Sequence, residues 1–426
     1  MNYELRITNY ELHDGKHSDQ HPTKTTNTQK LTVNTKYQQP GMKKLITFIF
    51  IAASLVYLGC RKPFNPKSIS GFTSALIVEG VLNPAGPTNI YLSRTLDLDD
   101  KVAVRPELKA VVQVLSESNT AVTLTDRGAG LYSIPQLTIN SAQKYRLKIT
   151  TSGGAGYISD PMAVKNTPAM DSLYWQRSPE GVSIYVDTHD SQNKTKYYQW
   201  DFEEDWELRS VDFALYRGIA ATGGGVTIVS RDPNETARMY TCYKYQRSTN
   251  INIFSTAKLS SDIVSRHPIL SIPGNSDKLS VRYSILVRQY ALSFEAFEYL
   301  SMMKRNTEQL GSFFDAQPSE LIGNIRNVSD SKDVAIGYVV IAPVLEKRIF
   351  INRSQVPNWG FRLNCQNIVI RNHRDSLAIF LAPPETYIPQ SYNPSFSGGI
   401  ESWNGTPREC LDCRSRGGNN NKPVFW

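Results

Sequence analysis

Residues 74–95 read SALIVEGVLNPAGPTNIYLSRT, which is two short β-forming runs separated by the turn-forming letters NPAGP. Val, Ile and Tyr favour strands, whereas clustered Asn, Pro and Gly favour turns. The same pattern continues to residue 166, with the candidate strands SALIVEGVL, TNIYLSRT, KAVVQVLSE, AVTLT, LYSI, KYRLKITT and YISDPMAV. Many short strands separated by turns are typical of antiparallel sandwiches. We therefore predict an immunoglobulin-like β-sandwich at residues 73–166.

A larger β-rich domain is expected at residues 167–352, after the boundary at Thr167-Pro168. Its strand candidates are DSLYWQR, GVSIYVDTH, KYYQWDFEE and the long alternating run KLSVRYSILVRQYAL. Farther along, IGYVVIA and KRIFIN are expected to form paired strands. These patterns predict a mainly β protein of two domains.

One helix is expected near residues 293–310. Ser293 is a suitable N-cap, and apolar residues recur every three positions from Phe294 until Gly311 ends the pattern. The rest of the chain, residues 353–426, is rich in Pro, Asn and Gly and is expected to be an irregular segment fastened by disulfides.

The start of the chain carries an export signal. Two lysines after Met42 precede the apolar run LITFIFIAASLVYL, which ends just before Gly59 and Cys60. Positive residues, a short apolar run and a small residue make a secretory signal, and this run is shorter than the ~20 residues of a membrane-spanning helix. The letters LGC resemble a lipobox, although Tyr57 departs from its usual Leu. We predict a lipoprotein signal peptide at 42–59 and lipidation of Cys60; the alternative is a secretory signal with an incidental cysteine.

The segments on either side of this signal are assigned no fold. Residues 1–41 are polar and lack apolar patterning, so they are predicted to be a spurious or disordered leader. Residues 60–72 contain Pro63 and Pro66 and are predicted to be a tether. Acyl chains such as palmitate on Cys60 would attach the chain to a membrane, and its facing, periplasmic or cell-surface, stays open.

Four further cysteines remain in the exported chain. An even number in an exported protein favours disulfides, with the candidates Cys242, Cys365, Cys410 and Cys413. A zinc site would require a second close pair, and a redox CxxC would begin a helix in a βαβ unit. Structural disulfides are therefore the preferred interpretation, with their pairing left open.

Composition argues against several functional classes. Without residues 1–59 the net charge falls from +8 to +5, which is too mild to indicate a nucleic-acid partner. Only three histidines then remain, far apart in the sequence, so no metal site and no cofactor are expected. The motifs Gly-x-Ser-x-Gly and His-Glu-x-x-His are missing, and Gly224 is not followed by the Gly-Lys-Ser/Thr of a phosphate loop.

One stretch combines carboxylates with aromatic rings, as in YYQWDFEEDWEL from Tyr197. Aromatic faces beside carboxylates can hold a sugar, which makes Trp200, Glu203 and Trp206 the candidate ligand-facing residues. Adjacent strand residues point to opposite faces, so the preferred alternative is a core strand that ends in a solvated turn. No catalytic residues are assigned. Arg288 is expected to make a structural salt bridge rather than to face a ligand.

Several stretches together resemble a family of Bacteroidetes-type lipoproteins known as a domain of unknown function. They are LIVEGVL, YYQWDFEEDWEL, YSILVRQYALSFEAFEYL, NTEQLGSFFDAQPSELIGNI, IGYVVIA and the ending ECLDCRSRGG to KPVFW. The resemblance implies an outer-membrane location, a β-rich build and a TonB-dependent receptor encoded nearby, but no chemistry. The expected function is therefore a non-enzymatic accessory to such a receptor. The alternatives are a structural or adhesive surface module and an enzyme of unrecognised type.

Overall fold

The computed structural model describes residues 74–96, 104–222, 224–308, 321–330, 333 and 335–426. Several predicted features lie outside these ranges and stay predictions from the sequence. They are the leader at 1–41, the signal peptide at 42–59, Cys60, the tether at 60–72 and the helix stop at Gly311.

Within the described ranges the chain is mainly β, as predicted. The strands before residue 167 are β1 Leu76–Leu82, β2 Thr88–Arg94, β3 Arg105–Pro106, β4 Val111–Ser116, β5 Ala121–Thr123, β6 Thr125–Asp126, β7 Leu131–Ile134, β8 Lys144–Thr150, β9 Gly156–Ser159 and β10 Met162–Ala163. The later strands are β11 Met170–Ser178, β12 Gly181–His189, β13 Tyr197–Arg209, β14 Tyr216–Ala220, β15 Val226–Ser230, β16 Thr241–Arg247, β17 Asn252–Ser255, β18 Ile263–Pro273, β19 Arg282–Ala291, β20 Ile325–Asn327, β21 Ala335–Ile336, β22 Val340–Ile341, β23 Leu345–Asn352, β24 Ile368–Arg371, β25 Tyr387–Pro394 and β26 Ile400–Pro407. The helices are α1 Pro233–Tyr240, α2 Phe294–Glu308, α3 Arg374–Leu381 and α4 Arg408–Leu411, with 3-10 turns at Asp277–Leu279, Arg353–Gln355 and Cys413–Arg416.

The first ten strands belong to a β-sandwich, which we call the first sandwich. One sheet has the order β21-β1-β2-β7-β6, and the other has the order β20-β9-β8-β4-β5. Residues from both sheets form a single apolar core. In β8, Tyr145, Leu147 and Ile149 are buried and alternate with more exposed residues, because successive strand side chains point to opposite faces. The predicted β-sandwich is therefore confirmed.

Three strands from later in the chain complete this sandwich. β20 pairs with β9, and both β21 and β22 run parallel to β1. The prediction that IGYVVIA pairs with KRIFIN is wrong, because KRIFIN lies in β23 beside β19. The residues 339–342 of IGYVVIA are all buried, and a run that is apolar on both faces fits a sheet interior better than a half-exposed hairpin. Strand pairing thus crosses the boundary predicted at residue 167.

Strands from residue 170 onward form a second sandwich. Its sheets have the orders β11-β12-β18 and β16-β13-β19-β23, with β17 also paired to β13. They share a core that includes Ile184, Trp200 and Ile285. The strand expected from Lys278 begins only at Arg282, because Asp277–Leu279 form a 3-10 turn.

The predicted helix is confirmed as α2. The Ser293 hydroxyl accepts a hydrogen bond from the Ala296 amide at 3.1 Å, as expected of an N-cap. Ala296 and Tyr299 are its buried residues. The helix packs in a small apolar cluster with Leu292 of the second sandwich and Val340 of the first. It therefore lies where the two sandwiches meet.

The C-terminal residues are more regular than predicted. β24, β26 and β25 form a sheet in that order, with α3 packed beside it. The composition was misleading because Pro389 and Pro394 lie on β25, an edge strand of this sheet, and edge strands tolerate proline. Disulfides nevertheless fasten this segment, with the pairs Cys242–Cys413 and Cys365–Cys410.

Candidate functional site

The three residues predicted to face a ligand all lie on β13 but do not share one surface. Trp200 is 1% exposed, and its Nε1 donates a hydrogen bond to Gln289 Oε1 at 2.8 Å. Trp206 is buried in the same core. Glu203 lies on the other face of the sheet, because odd and even positions of a strand alternate. The structure therefore does not bring Trp200, Glu203 and Trp206 together.

The carboxylates that follow Phe202 also do not form a solvated turn. β13 continues to Arg209, so the alternative of a core strand that ends in a solvated turn at these carboxylates is wrong. Glu204 is 1% exposed and accepts hydrogen bonds from Lys278 Nζ at 2.6 Å and from the Tyr283 hydroxyl at 2.7 Å. A buried carboxylate is tolerated when such partners compensate for its desolvation. Glu204 is therefore a structural group of the core.

The outward face of the same sheet carries a row of charges across three strands, which we call the charged row. Glu346 on β23, Arg288 on β19 and Asp201 on β13 lie in register. Arg288 contacts Asp201 Oδ1 at 3.1 Å and Glu346 Oε1 at 2.9 Å. It also contacts Glu203 at 2.8 Å, which in turn pairs with Arg247 at 3.2 Å. The prediction that Arg288 makes a structural salt bridge is confirmed.

The charged row borders a cavity between the two sandwiches, which we call the polar chamber. Its volume is about 560 Å³. One wall is the outer face of β1 and β2, and the other consists of the charged row, Tyr290 and Arg247. The Arg247 guanidinium lies 6.0 Å from the ring centroid of Tyr91 on the opposite wall. The chamber is thus bounded by two sheets with charged side chains fixed by cross-strand ion pairs.

A second cavity continues from the first along helix α2, and we call it the apolar chamber. Its volume is about 390 Å³. Gly80, Val81, Asp201 and Tyr290 line both chambers. The rest of its wall is largely apolar or aromatic and includes Ile77, Leu292, Ala296, Tyr299, Leu300 and Met303. Together the chambers form one amphipathic cleft.

The electrostatics of the cleft follow from its partial burial. Burial raises the pKa of Asp201, and the Arg288 guanidinium offsets only part of that rise. Burial also pushes the pKa of Glu203 upward, but Arg288 and Arg247 outweigh this effect and hold the pKa of Glu203 below its usual value. For Arg288 the carboxylates outweigh burial, so the pKa of Arg288 is raised and it stays charged.

Two basic side chains near the cleft are already held by neighbouring groups. Arg288 is committed to three carboxylates, so it is poorly placed to receive an anion from solution. His267 is half-buried and stacks against the core residue Trp200, with ring centroids 4.5 Å apart. Burial lowers the pKa of His267 to about 4, assisted by the positive charge of Lys304. Among the described residues, no group of three or more His, Cys, Asp or Glu side chains has the geometry to hold a metal ion.

Sequence reasoning identified part of this site. It selected Glu203 and Arg288 but not their partners Asp201 and Glu346. One signal was available: the odd positions of β13 from Gln199 to Glu207 are all polar, which marks a polar sheet face. The register that brings the distant Glu346 to Arg288 could not be read from one sequence.

The part of the chain that the structure describes contains no helix long and apolar enough to cross a membrane. No curated protein matches this sequence. Among solved structures, a chitinase from Bacillus thuringiensis is similar over 45% of this chain and 29% of its own, at 13% identity and a TM-score of 0.14. A Salmonella alpha-2-macroglobulin variant is similar over 79% of this chain and 20% of its own, at 12% identity and a TM-score of 0.17.

The chain spans less than a third of the length of either structure, and similarity at these TM-scores supports no argument about its function. The family comparison is more informative, because a sequence model matches residues 61–348, which is more than half of the chain. The chain belongs to the family described as Domain of unknown function (DUF4249).

Proposed function

We propose that this protein is a non-enzymatic lipoprotein of the outer membrane that acts as an accessory to a TonB-dependent receptor, in ligand capture or in assembly. The observation that carries the proposal is the amphipathic cleft between the two sandwiches. Concave sites at the junction of structural units, mostly apolar with a few placed polar groups, are typical ligand sites. Arg288 holds its neighbours in place, which reduces the entropy lost when a ligand binds.

The predicted lipid anchor gives such a site a physical reason to work beside a membrane receptor. Acyl chains on Cys60 would confine the chain to the membrane surface. Confinement raises the effective concentration of one partner near another without any new contact between them. A ligand held in the cleft would therefore be released close to a receptor in the same membrane.

The test is a pull-down from gently solubilised outer membranes, with a tag at the C-terminus and a brief cross-linking step. A TonB-dependent receptor recovered in stoichiometric amount is the expected result. The matched control is the same chain carrying Cys60→Ser, which should be produced at a similar level but recover much less receptor because it is no longer confined to the membrane.

Import by the receptor recovered in this way should also fall when this protein is deleted. If cross-linked samples contain no receptor and import is unchanged by the deletion, the accessory role is refuted. An independent structural or adhesive surface module is then the better explanation.

A further inference from the structure

We propose that the cleft binds a small organic ammonium compound, with its cationic group at Asp201 and Glu346 and its apolar body in the apolar chamber. This inference rests on the proposed function to the extent that it treats the cleft as the site of ligand capture. It adds the chemical class of the ligand, which neither the family nor the lipid anchor supplies.

The first support is the balance of charge in the cleft. Asp201 and Glu346 line the polar chamber together with two guanidiniums, those of Arg247 and Arg288. Glu203 lines neither chamber but pairs with both guanidiniums, so it offsets part of their positive charge. The exposed Glu79 also lines the apolar chamber. The lining residues of the two chambers thus include three carboxylates and two guanidiniums, an excess of one carboxylate, and no lysine or histidine is among the described residues that line either chamber. A cation is the complementary ligand.

The second support is the acceptor capacity of the two carboxylates. Arg288 contacts a single oxygen of Asp201 and a single oxygen of Glu346. The side chains of Asp201 and Glu346 are 38% and 51% exposed. A carboxylate can accept about four hydrogen bonds, so both can take further donors from the cleft. Three N–H donors on an ammonium match this arrangement, and such charge-assisted bonds are roughly twice as strong as neutral ones.

The third support is the position of the apolar surface. Asp201 lines both chambers, so a cation beside it has the apolar wall of helix α2 within reach. Leu300 and Met303 are only partly buried on that wall. Covering them removes apolar surface from water, which favours a ligand with an alkyl or aromatic body. The two cavity volumes fall within the usual size of small-molecule sites.

Dansylcadaverine is a suitable probe, because it joins a primary ammonium to an apolar fluorescent ring. We expect saturable binding to the full chain, with a rise in fluorescence as the ring leaves water. Dansylamide, which has the same ring but no ammonium, should bind at least about tenfold more weakly, the ratio for one charge-assisted hydrogen bond. Equal binding of the two probes would overturn the proposal.

Variants then locate the site. Asp201→Asn and Glu346→Gln should each raise the Kd for dansylcadaverine about tenfold, and Met303→Lys should abolish binding by placing a cation on the apolar wall. The matched control is Asp171→Asn, which removes an exposed carboxylate of β11 that lines neither chamber and should leave the Kd unchanged. Glu346 is half exposed on an edge strand, so Glu346→Gln keeps the test valid if Asp201→Asn fails to fold.

Unchanged affinity in folded Glu346→Gln and Met303→Lys proteins would refute the site. Failure of the ammonium site can be distinguished from failure of the accessory role. A chain that recovers the receptor but ignores dansylcadaverine would refute only the ammonium site. A chain that binds the probe through Asp201 and recovers no receptor would refute only the accessory role.

Discussion

Replacing Arg288 with Gln should destabilise the protein by about 2 kcal/mol near neutral pH. Removing one partner of a fully buried ion pair costs about 3–5 kcal/mol, because the remaining charge is left without compensation. Arg288 and Glu203 are 19% and 17% exposed, but Asp201 and Glu346 are 38% and 51% exposed, so water screens about half of that cost. The free energy of unfolding in urea measures the loss. The matched control is Arg177→Gln, which removes an exposed arginine on β11 and should cost less than about 0.5 kcal/mol.

The stability deficit of Arg288→Gln should also depend on pH, in a direction that the pKa shifts of its partners determine. The pKa of Glu203 is lowered in the folded protein, so its stabilisation is present above the unfolded-state pKa and is lost as the pH falls through the folded-state pKa. The pKa of Asp201 is raised, so its protonation on acidification favours the folded state. Without Arg288 the carboxylates repel one another at neutral pH, and protonation relieves that repulsion. The deficit of Arg288→Gln relative to wild type should therefore shrink between about pH 7 and pH 4. A deficit that stays constant or grows over this range would refute the assignment.

Three further predictions address other parts of the chain. Cys60→Ser should release the protein from the membrane fraction or leave an uncleaved precursor, as judged by fractionation and gel mobility. Converting Cys365 and Cys410 together to Ser should lower the free energy of unfolding by about 4 kcal/mol, since their disulfide closes a loop of 45 positions. Wild type should show no free thiols at these two positions in denaturant without reductant. His267 has a folded-state pKa of about 4, below its unfolded value, so its contribution is present above about pH 6.5 and is lost as the pH falls toward 4. His267→Phe should retain the stacking on Trp200 and show a smaller loss of stability over that range, measured by urea unfolding at several pH values.

Local features of the fold were accessible from the sequence. The strands of the first sandwich follow from short alternating runs, and helix α2 follows from Ser293 and the three-residue spacing after it. These predictions hold because backbone geometry repeats over a few residues and leaves its period in the sequence. Oxidation of the cysteines in pairs also followed from their even number in a chain predicted to be exported, although the pairing did not.

Long-range pairing was not accessible in the same way. β21 and β22 return to β1 after more than 250 residues, and nothing local in IGYVVIA distinguishes that position from a hairpin with the next strand. The charged contacts of the cleft could not be predicted for the same reason. Asp201 and Arg288 are separated by 87 positions, and their contact depends on the register between β13 and β19. One sequence gives the polar face of each strand but not which charges meet across the sheet.

A variant without the charged row can separate its role in ligand binding from its effect on the free energy of unfolding. Replacing a whole buried ion network is often neutral or stabilising, whereas removing one member leaves charges without partners. A triple variant with Asp201→Asn, Arg288→Met and Glu346→Gln removes the row together, while Glu203 keeps its pair with Arg247. We expect its free energy of unfolding to lie within about 1 kcal/mol of wild type, above that of Arg288→Gln alone.

If the ammonium site is correct, this stable variant should no longer bind dansylcadaverine. A triple variant as unstable as Arg288→Gln would mean that the row is required for packing between the sandwiches. Full binding by a stable triple variant would mean that the cation is held elsewhere.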